Sequence, residues 1–475
     1  MTPHSRIMRF VGLAAMTLSS ASFAGEYLVR FSQGAPADRA AFLTSNGGQL
    51  DLVSAPGLLY KWTSPDGRSP VTPRSAGVAF VEPNRIISIP ENPSLAAARQ
   101  AALRAGLRLN NAPAPETDNP AIQSPPVQAS GSDPLLPNAW GMAMTDAIGA
   151  WKKAPLGRSI VVAVTDTGVD YNHQDLIANI WRNKSEIEGN GIDDDGNGYV
   201  DDIAGWDFYS NDNKPFDLSM SLVEILFQGG NPGHGTHVAG VVGARLNNSL
   251  GTAGVAPECR IMALRFISEK GQGTTDGAIK AIDYAVSNGA HVINASWGGE
   301  AGDEDDSALR EAIRRAEARG VIFVAAAGNG RLNQTTGKSQ GFDNDADAKP
   351  MVPASFAIPN IVAVAAIDSD QGLAQFSNWG KTSVKLGAPG VKILSTVPGN
   401  KYQDTIIDMG GIKATWDGTS MAAPFVSGAL ALLWSQNVAQ TGPQVRDRVL
   451  AFVQSAAALE GKVASGGRLD LRRLQ

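Results

Sequence analysis

The stretch SIVVAVT, at residues 159–165, decides the fold class because its five inner positions are all apolar. A half-exposed strand alternates apolar and polar residues, whereas a strand that is apolar throughout is buried on both faces. Further largely apolar runs lie at residues 261–266, 291–295, 321–325 and 361–365. Helical stretches separate several of these runs, at residues 275–287 and 307–319. Together they predict an α/β fold, with a parallel sheet that carries helices on both faces.

The composition describes a soluble globular protein and limits its partners. Of the 475 residues, 43% are apolar and 18% are charged, as in ordinary globular domains. The formal net charge of −6 argues against nucleic acid as a main partner. Cys259 is the only cysteine in the sequence, which excludes an intrachain disulfide. We expect it to be a small buried hydrophobic side chain, and we expect core packing or metal ions to provide the stability.

The N-terminus has the pattern of a secretory signal peptide. Arg6 and Arg9 precede an apolar segment at residues 10–18, and the small residues of SFA at 22–24 follow it. This order predicts a signal peptide over residues 1–24, cleaved before Gly25. The alternative is a buried N-terminal helix. We therefore expect a secreted, periplasmic or cell-surface protein, and no later apolar run is long enough to span a membrane.

Three regions follow the predicted signal peptide. Residues 25–90 predict a small α+β unit, with strands at 26–31, 58–62, 77–81 and 86–89 and a helix at 36–44. Residues 91–132 are rich in proline, alanine, asparagine and serine. They predict a mostly exposed linker with one local helix at 95–107. The α/β domain then covers residues 133–475.

Several polar residues follow the predicted strands directly. Asp166 ends the strand at 159–165, Ser296 follows the strand at 291–295, and Asn329 lies just beyond the strand at 321–325. In open parallel sheets, ligands and catalytic groups collect at the carboxyl ends of the strands. We therefore expect these three side chains to lie near one another.

A histidine and a serine each open an apolar segment farther along the chain. His234 is flanked by glycines, and Ser420 precedes the apolar run at residues 421–434. Taken singly, His234 would be structural, Asp166 a strand-end cap and Ser420 a helix N-cap. Taken together, they supply what a serine nucleophile needs, namely a base for its proton and a carboxylate that orients the base.

The sequences around these residues resemble a known family. VTDTG (164–168), HGTHVAG (234–240) and GTSMAAP (418–424) look like the three active-site signatures of subtilisin-like serine proteases, the subtilases. The order acid, histidine, serine along the chain is also that of subtilisin. The resemblance covers roughly residues 133–469.

The resemblance implies a role for each matching residue. Ser420 resembles the nucleophile, His234 the general base, and Asp166 the carboxylate that orients His234. Asn329, in AAAGN at 325–329, resembles the side-chain donor of the oxyanion hole, together with the backbone N–H of Ser420. The family match implies hydrolysis of protein or peptide substrates through an acyl-enzyme intermediate.

Two glycine-containing segments resemble the substrate-binding edges of the family. One is Ser296-Trp297-Gly298, and the other contains Gly271 and Gly273. An extended substrate would add to them as a strand through backbone hydrogen bonds. The alternative for such glycines is turn chemistry alone.

A loop rich in acidic residues predicts a calcium site. The segment NGIDDDGNGYVDD, at 190–202, offers oxygen ligands from Asp193, Asp195, Asn197 and Asp202, which suit a hard cation. It lacks the terminal glutamate of an EF-hand loop, and the alternative is a solvated acidic loop.

The family resemblance implies a second calcium site. Its ligands would be Asp175 and Asn248 through side-chain oxygens, Leu246, Leu250 and Thr252 through backbone oxygens, and Asp133 from the mature N-terminus. Calcium at either place would stabilise the folded state by binding to it preferentially.

The unit at 25–90 resembles the inhibitory propeptide of subtilases. We therefore expect it to dock on the protease domain as an intramolecular inhibitor, with a self-cleavage site between Asn111 and Ser132. An unrelated N-terminal domain is the alternative, and we expect a monomer.

The apolar segment 218–230 departs from the family pattern, and its interpretation as a lid, a pocket wall or a docking patch competes with that of a packed insertion.

Two other functions compete with proteolysis. One is a different serine hydrolase such as an esterase, although GTSMA lacks the second glycine of the Gly-x-Ser-x-Gly motif. The other is a binding scaffold that retains the fold without activity.

Overall fold

The computed structural model describes residues 22–72, 77–105, 120–125, 130–153, 155–218, 225–226, 230–231, 233–302, 306–333 and 335–473. The predicted signal peptide lies outside this part of the chain, apart from residues 22–24 at the start of the first strand. Among the described residues, no helix has the length and apolarity that crossing a bilayer requires.

An N-terminal unit of four strands and one helix precedes a second helix. In chain order these are β1 (Ser22–Phe31), α1 (Pro36–Asn46), β2 (Gln49–Ser54), β3 (Leu59–Thr63), β4 (Val78–Ser88) and α2 (Pro93–Arg104). The strands form an antiparallel sheet in the order β2-β3-β1-β4. Phe42 of α1 packs edge-to-face against Phe31 and Trp62 of this sheet, which gives the unit its own small core.

Three features of this region differ from the sequence prediction, and the first is strand β2, which was not predicted. The strands predicted at 77–81 and 86–89 are one continuous strand, β4. The predicted linker begins with helix α2, whose Leu95, Ala98 and Ala102 side chains are buried, so that this part of it is packed rather than exposed.

The remaining elements form the α/β domain. They are α3 (Trp140–Met144), α4 (Ala147–Ala150), β5 (Val161–Asp166), β6 (Gly205–Asp207), α5 (His234–Gly243), β7 (Arg260–Arg265), β8 (Gln272–Thr274), α6 (Thr275–Ser287), β9 (Val292–Ala295), β10 (Gly299–Glu300), α7 (Ser307–Ala318), β11 (Ile322–Ala326), β12 (Arg331–Asn333), β13 (Lys338–Gln340), β14 (Met351–Val352), β15 (Ile361–Ile367), β16 (Val384–Pro389), β17 (Ser395–Val397), β18 (Lys401–Gln403), β19 (Thr405–Met409), β20 (Ile412–Thr415), α8 (Thr419–Gln436), α9 (Gly442–Ala451), β21 (Val453–Ser455) and β22 (Gly467–Leu469).

The main sheet has nine strands in the order β21-β22-β16-β15-β11-β9-β5-β7-β6. Neighbouring strands are parallel, except that β21 runs antiparallel to β22. This arrangement confirms the predicted α/β class. Helices α5, α6 and α7 lie in the chain between successive strands of this sheet, because parallel strands need a crossover connection rather than a tight turn.

Alternate residues of the central strands face two different cores. Val162 and Val164 of β5 pack with helices α5 and α8, whereas Ala163 packs on the other face with α6 and α7. Val324 and Phe323 of β11 are divided between the same two cores. The sheet is therefore covered on both sides, which explains why these strands are apolar at consecutive positions. Cys259 is buried in the first core as predicted.

Strand β4 joins the N-terminal unit to the α/β domain. It pairs antiparallel with β8, with Ile87 opposite Gly273, so that the N-terminal sheet gains a fifth strand from the other domain. Without β4, the short strand β8 would present unpaired backbone N–H and C=O groups along this edge. Strand β4 pairs with them through backbone hydrogen bonds.

Polar residues of β4 bind the first turn of helix α7. The Glu82 carboxylate accepts hydrogen bonds from the backbone N–H groups of Ser307 and Ala308, at 2.9 and 3.2 Å. A carboxylate at a helix N-terminus satisfies free N–H groups and complements the helix dipole. Burial nevertheless raises the pKa of Glu82 to about 8. On the neighbouring helix α6, the Asn84 side-chain oxygen accepts from the backbone N–H of Asp276 at 3.1 Å.

Candidate active site

Three elements of the α/β domain bring the predicted catalytic residues to the carboxyl ends of the strands. Asp166 is the last residue of β5, His234 is the first of α5, and Ser420 is the second of α8. Asp166 and His234 are fully buried, and Ser420 is 2% exposed.

Asp166 and His234 form a buried contact. The His234 Nδ1 atom lies 2.8 Å from Asp166 Oδ1, which fixes the imidazole as the tautomer that donates its Nδ1–H to the carboxylate. The same carboxylate oxygen accepts from the backbone N–H of Thr167 at 2.7 Å. His234 Nε2 has no hydrogen-bond partner within the described part of the chain. The imidazole therefore presents a free lone pair, which is the form that can accept a proton.

Ser420 is held near the end of β9. Its hydroxyl donates to the backbone oxygen of Ser296 at 3.0 Å, and the Ser296 hydroxyl donates to the backbone oxygen of Ser420 at 2.8 Å. The structure thus joins Ser420 to Ser296 rather than to His234 by a hydrogen bond.

Asn329 has a fixed side-chain amide. Its Oδ1 accepts from both the backbone N–H and the hydroxyl of Thr419, each at 2.9 Å. This orientation directs Nδ2 toward the backbone oxygens of Pro90 and Glu91, at 3.3 and 3.1 Å. Asn329 therefore donates to peptide carbonyl groups, which is the chemistry required of an oxyanion-hole residue.

Both predicted substrate-binding edges are paired with the end of β4 and the residue that follows it. Ser88 exchanges two hydrogen bonds with the backbone of Gly298, at 3.0 and 2.9 Å, and the Ile89 N–H donates to the oxygen of Gly271 at 3.0 Å. With the Ile87–Gly273 pairing, this segment lies as a strand between the two edges.

Side chains along the two edges are constrained. A Cβ atom on Gly298 would lie 2.6 Å from the Val352 backbone oxygen, and one on Gly273 would lie 2.5 Å from the Phe266 oxygen. The Trp297 side chain is fully buried, and its indole N–H donates to the Thr165 hydroxyl at 3.0 Å. Trp297 therefore supports the edge from behind, and its ring does not face the cleft.

Asp217 supports the histidine, a role that no sequence motif indicates. Its buried carboxylate accepts from the N–H groups of Gly233 and Thr236, at 3.2 and 2.9 Å, and from the Thr236 hydroxyl at 2.8 Å. Burial raises the pKa of Asp217 to about 6. These contacts fix the first turn of α5, which carries His234. No local pattern connects the two positions, because the intervening segment 218–230 separates them.

Four residues of the second predicted calcium site lie together, namely Asp133, Asp175, Asn248 and Thr252. Asp175 is fully buried, and its Oδ1 accepts from the Asn248 side-chain amide at 2.7 Å. Asp133 accepts from the backbone N–H of Asn248 at 3.0 Å. Burial raises the pKa of Asp175 to about 7, and the nearby Asp133 charge adds to the effect. The Thr252 hydroxyl is buried and has no partner among the described residues. The Asn248 side-chain oxygen accepts from the Leu250 N–H at 3.0 Å. The two buried carboxyl groups and the carboxamide are oxygen ligand types that suit a hard cation.

The loop at 190–202 brings only some of its predicted ligands together. Carboxylate oxygens of Asp193 and Asp195 lie within 4.8 Å of one another and of Glu186, which the sequence analysis did not include. Asp202 lies outside this group, where its Oδ2 accepts from the Asn197 side-chain amide at 3.0 Å. Glu186 precedes the loop in sequence and joins it only through the fold.

Comparison with known proteins identifies the family. A family profile described as the subtilase family matches residues 157–462. The chain therefore belongs to the subtilase family, as its three active-site signatures predicted.

Several curated proteins are similar to the chain. It is 38% identical over 287 residues to the thermophilic serine proteinase of Bacillus sp. (strain AK1), an alignment that covers 60% of this chain and 55% of that protein. It is 33% identical over 307 residues to subtilisin-like protease 2 of Plasmodium falciparum (isolate 3D7), covering 63% of this chain and 19% of that one. Thermitase of Thermoactinomyces vulgaris is 34% identical over 297 residues, which cover 62% of this chain and 82% of thermitase. The chain thus spans about half of the first relative and about a fifth of the second.

Proposed function

We propose that this subtilase is a serine endopeptidase, with Ser420 as nucleophile, His234 as general base and Asp166 as the carboxylate that orients the base. The observation that carries the proposal is the buried 2.8 Å contact between Asp166 and His234 Nδ1, together with the unpartnered His234 Nε2. A serine hydroxyl is a weak nucleophile at neutral pH and needs such a base to remove its proton.

The reaction begins when the Ser420 hydroxyl leaves the Ser296 oxygen and transfers its proton to His234 Nε2. Ser420 Oγ then attacks the substrate carbonyl carbon, and the Asp166 carboxylate stabilises the imidazolium ion. His234 next donates that proton to the leaving amine, which leaves an acyl-enzyme. Water attacks the acyl group with His234 again as the base, and Ser420 recovers its proton.

The Asn329 amide and the Ser420 backbone N–H would stabilise the negative charge on the tetrahedral intermediate. Ser420 lies in the first turn of α8, where backbone N–H groups are free and the helix dipole is positive. The contact between Asn329 Nδ2 and the backbone oxygens of Pro90 and Glu91 supports this assignment.

Substrates would be proteins or peptides that bind in an extended conformation between the Gly271–Gly273 and Ser296–Gly298 edges. The segment around Ser88 supports this mode because it pairs with both edges through backbone hydrogen bonds. Backbone pairing is independent of side chains, so selectivity would depend on the pockets beneath alternate residues.

The N-terminal unit, residues 25–90, would be an intramolecular inhibitor that is removed during maturation. Two contacts support this proposal: strand β4 pairs with β8, which carries one of the substrate-binding edges, and Glu82 binds the start of α7. We further propose a signal peptide over residues 1–24, secretion to an extracytoplasmic location, self-cleavage between Asn111 and Ser132, and a monomeric mature enzyme.

Calcium would stabilise the mature domain at one or both oxygen-rich sites. Bound calcium would balance the negative charge of the buried Asp175 and Asp133 carboxylates. The same holds for Glu186, Asp193 and Asp195 in the loop at 190–202, where Asn197 and Asp202 would support the ligands. Asp175 and Asp133 accept backbone and amide hydrogen bonds that hold the loop around Asn248 in place.

Active-site labelling tests the proposed function. A fluorophosphonate probe should label the processed protein, and Ser420→Ala should remain unlabelled. Casein hydrolysis should accompany labelling. Labelling with cleavage of short esters but not casein would indicate an esterase, and absence of labelling in fully processed protein would indicate a binding scaffold.

A further inference from the structure

We propose that helix α2 is a second inhibitory element, which docks beyond the catalytic serine and holds residues 86–104 uncut across the active site. The first maturation cut then falls after Arg104, not at the peptide bonds next to Asn329. This inference rests on the proposed endopeptidase function.

The chain enters the cleft in the manner of a substrate. Ser88 pairs with Gly298, and the Ile89 N–H donates to Gly271. The next two residues, Pro90 and Glu91, present their backbone oxygens to the Asn329 amide at 3.3 and 3.1 Å. The bonds that an active serine would attack are therefore those near Pro90 and Glu91.

The chain is fixed again immediately beyond this point. The Asn92 side-chain amide donates to the Thr415 backbone oxygen at 3.0 Å, and the Ser94 hydroxyl donates to the same oxygen at 2.7 Å. In return, the Thr415 N–H donates to the Ser94 hydroxyl at 2.8 Å. Asn92 Oδ1 also caps α2 by accepting from the N–H groups of Ser94 and Leu95, each at 3.0 Å. The segment that follows Glu91 is thus tied to the strand that leads into Ser420.

Helix α2 then buries its apolar face on a surface of the α/β domain. Leu95, Ala98 and Ala102 pack against this α2 docking surface, which consists of Ile225, Leu226, Ile407, Ile412 and Ala414. Ile225 and Leu226 belong to the apolar insertion at 218–230, of which residues 218, 225, 226 and 230 are described. The other three residues belong to β19 and β20. Arg99 reinforces the contact, because its Nε donates to the Leu226 oxygen at 2.8 Å and its guanidinium pairs with Glu91.

Anchors on both sides would oppose productive cleavage between them. Hydrolysis adds one water molecule across a C–N bond and gives a carboxyl and an amino end. Here the pairing with Gly298 would hold the first end, and Thr415 with the α2 docking surface would hold the second. Two ends kept together at high effective concentration re-form the bond and release the water, instead of separating. The Ser420 hydroxyl, bonded to the Ser296 oxygen, is also not paired with its base.

Mapping the first cut in the wild-type precursor tests the proposal directly. Samples from a time course would be quenched in acid, and their new termini identified by intact mass and N-terminal sequencing. We expect the first new N-terminus to lie after Arg104, with β4 and α2 on one fragment. A first cut between Pro90 and Pro93 would overturn the proposal.

A matched pair of variants tests the role of the docked face. Leu95 is 2% exposed and Leu103 on the same helix is 51% exposed. Leu95→Asp should raise the initial activity of the uncut precursor about ten- to hundredfold, the factor that corresponds to burial of one leucine side chain. Leu103→Asp should match the wild type, and equal behaviour of both variants would overturn the proposal.

Two readouts separate this proposal from the proposed function. If Leu95→Asp fails to fold, the wild-type cleavage map still decides the question. Fluorophosphonate labelling of the final product with a first cut near Pro90 would overturn only the role of α2. Absence of labelling in every form would overturn the endopeptidase function, and this proposal with it.

Discussion

Substitution of Asn329 should lower the rate of the chemical step while leaving substrate binding nearly unchanged. The side chain has two separable functions, since its Oδ1 accepts two hydrogen bonds from Thr419 and its Nδ2 donates toward a peptide oxygen. The donor interaction gains strength only as negative charge develops on the substrate oxygen. Its loss costs about 2.7–4 kcal/mol of barrier, a magnitude measured within this family, which is about a hundred- to thousandfold in kcat.

Two variants separate this catalytic effect from a structural one. Asn329→Ala removes both functions, and the unpaired Thr419 N–H should cost a further ~1–3 kcal/mol of stability. Asn329→Asp keeps the acceptors for Thr419 but removes the donor, so it should retain stability and lose kcat. Steady-state kinetics on a peptide substrate, combined with thermal unfolding, would measure both quantities. A kcat within threefold of wild type for Asn329→Asp, or a loss confined to KM, would refute this reasoning.

Three further predictions concern calcium, acid and the substrate edge. A strong chelator should lower the Tm of the mature form, because a ligand at a hundred times its Kd contributes about 2.7 kcal/mol to the folded state. Asp175→Asn should abolish most of that effect, and an unchanged Tm would contradict the calcium assignment. Burial lowers the pKa of His237 to about 3. The contribution of neutral His237 to the free energy of unfolding is therefore complete above pH 6.5. It is lost as the pH falls toward 3, by about 1.4 kcal/mol per pH unit. Buried carboxyl groups with raised pKa values change stability with pH in the opposite direction, so the contribution of His237 must be isolated by comparison. The test compares the free energy of urea unfolding of His237→Gln with that of its parent at pH 7 and pH 4.5. Both proteins carry Ser420→Ala, which prevents autolysis. Gly298→Ala should raise KM and cost about 1–3 kcal/mol of stability through the collision of its Cβ with the Val352 oxygen, and a wild-type KM would argue against substrate pairing at this edge.

The sequence predicted the sheet well because each central strand carries its own evidence. A run such as residues 361–365 is apolar at every position, and this requires two buried faces whatever its neighbours are. Strand β4 was harder to recognise, because polar Glu82 and Asn84 interrupt its pattern. Those side chains bind helices more than 190 residues away in the chain, and no local window contains that information.

In the candidate active site, too, residues in characteristic local motifs could be predicted from the sequence, whereas residues that depend on distant contacts could not. Asp166, His234 and Ser420 lie in long, characteristic segments, and the predicted contact between Asp166 and His234 is present. Asp217 and Glu186 are single acidic residues in unremarkable surroundings, and the fold alone gives them partners. The packing of α2 was also beyond reach from sequence, because the docking surface combines two distant segments, one before His234 and one before Ser420.

The contact of Glu82 with α7 has a consequence for how the mature enzyme withstands heat. Asp306, which precedes α7, makes no side-chain capping hydrogen bond and pairs with Arg85. The backbone N–H groups of Ser307 and Ala308 are bound instead by Glu82 of the N-terminal unit. If this unit is removed as proposed, water would have to replace Glu82, and an unfolded mature chain would lack these contacts when it refolds. Thermal inactivation of the mature form should therefore be one-way and governed by an unfolding rate, with an apparent midpoint that rises with the heating rate.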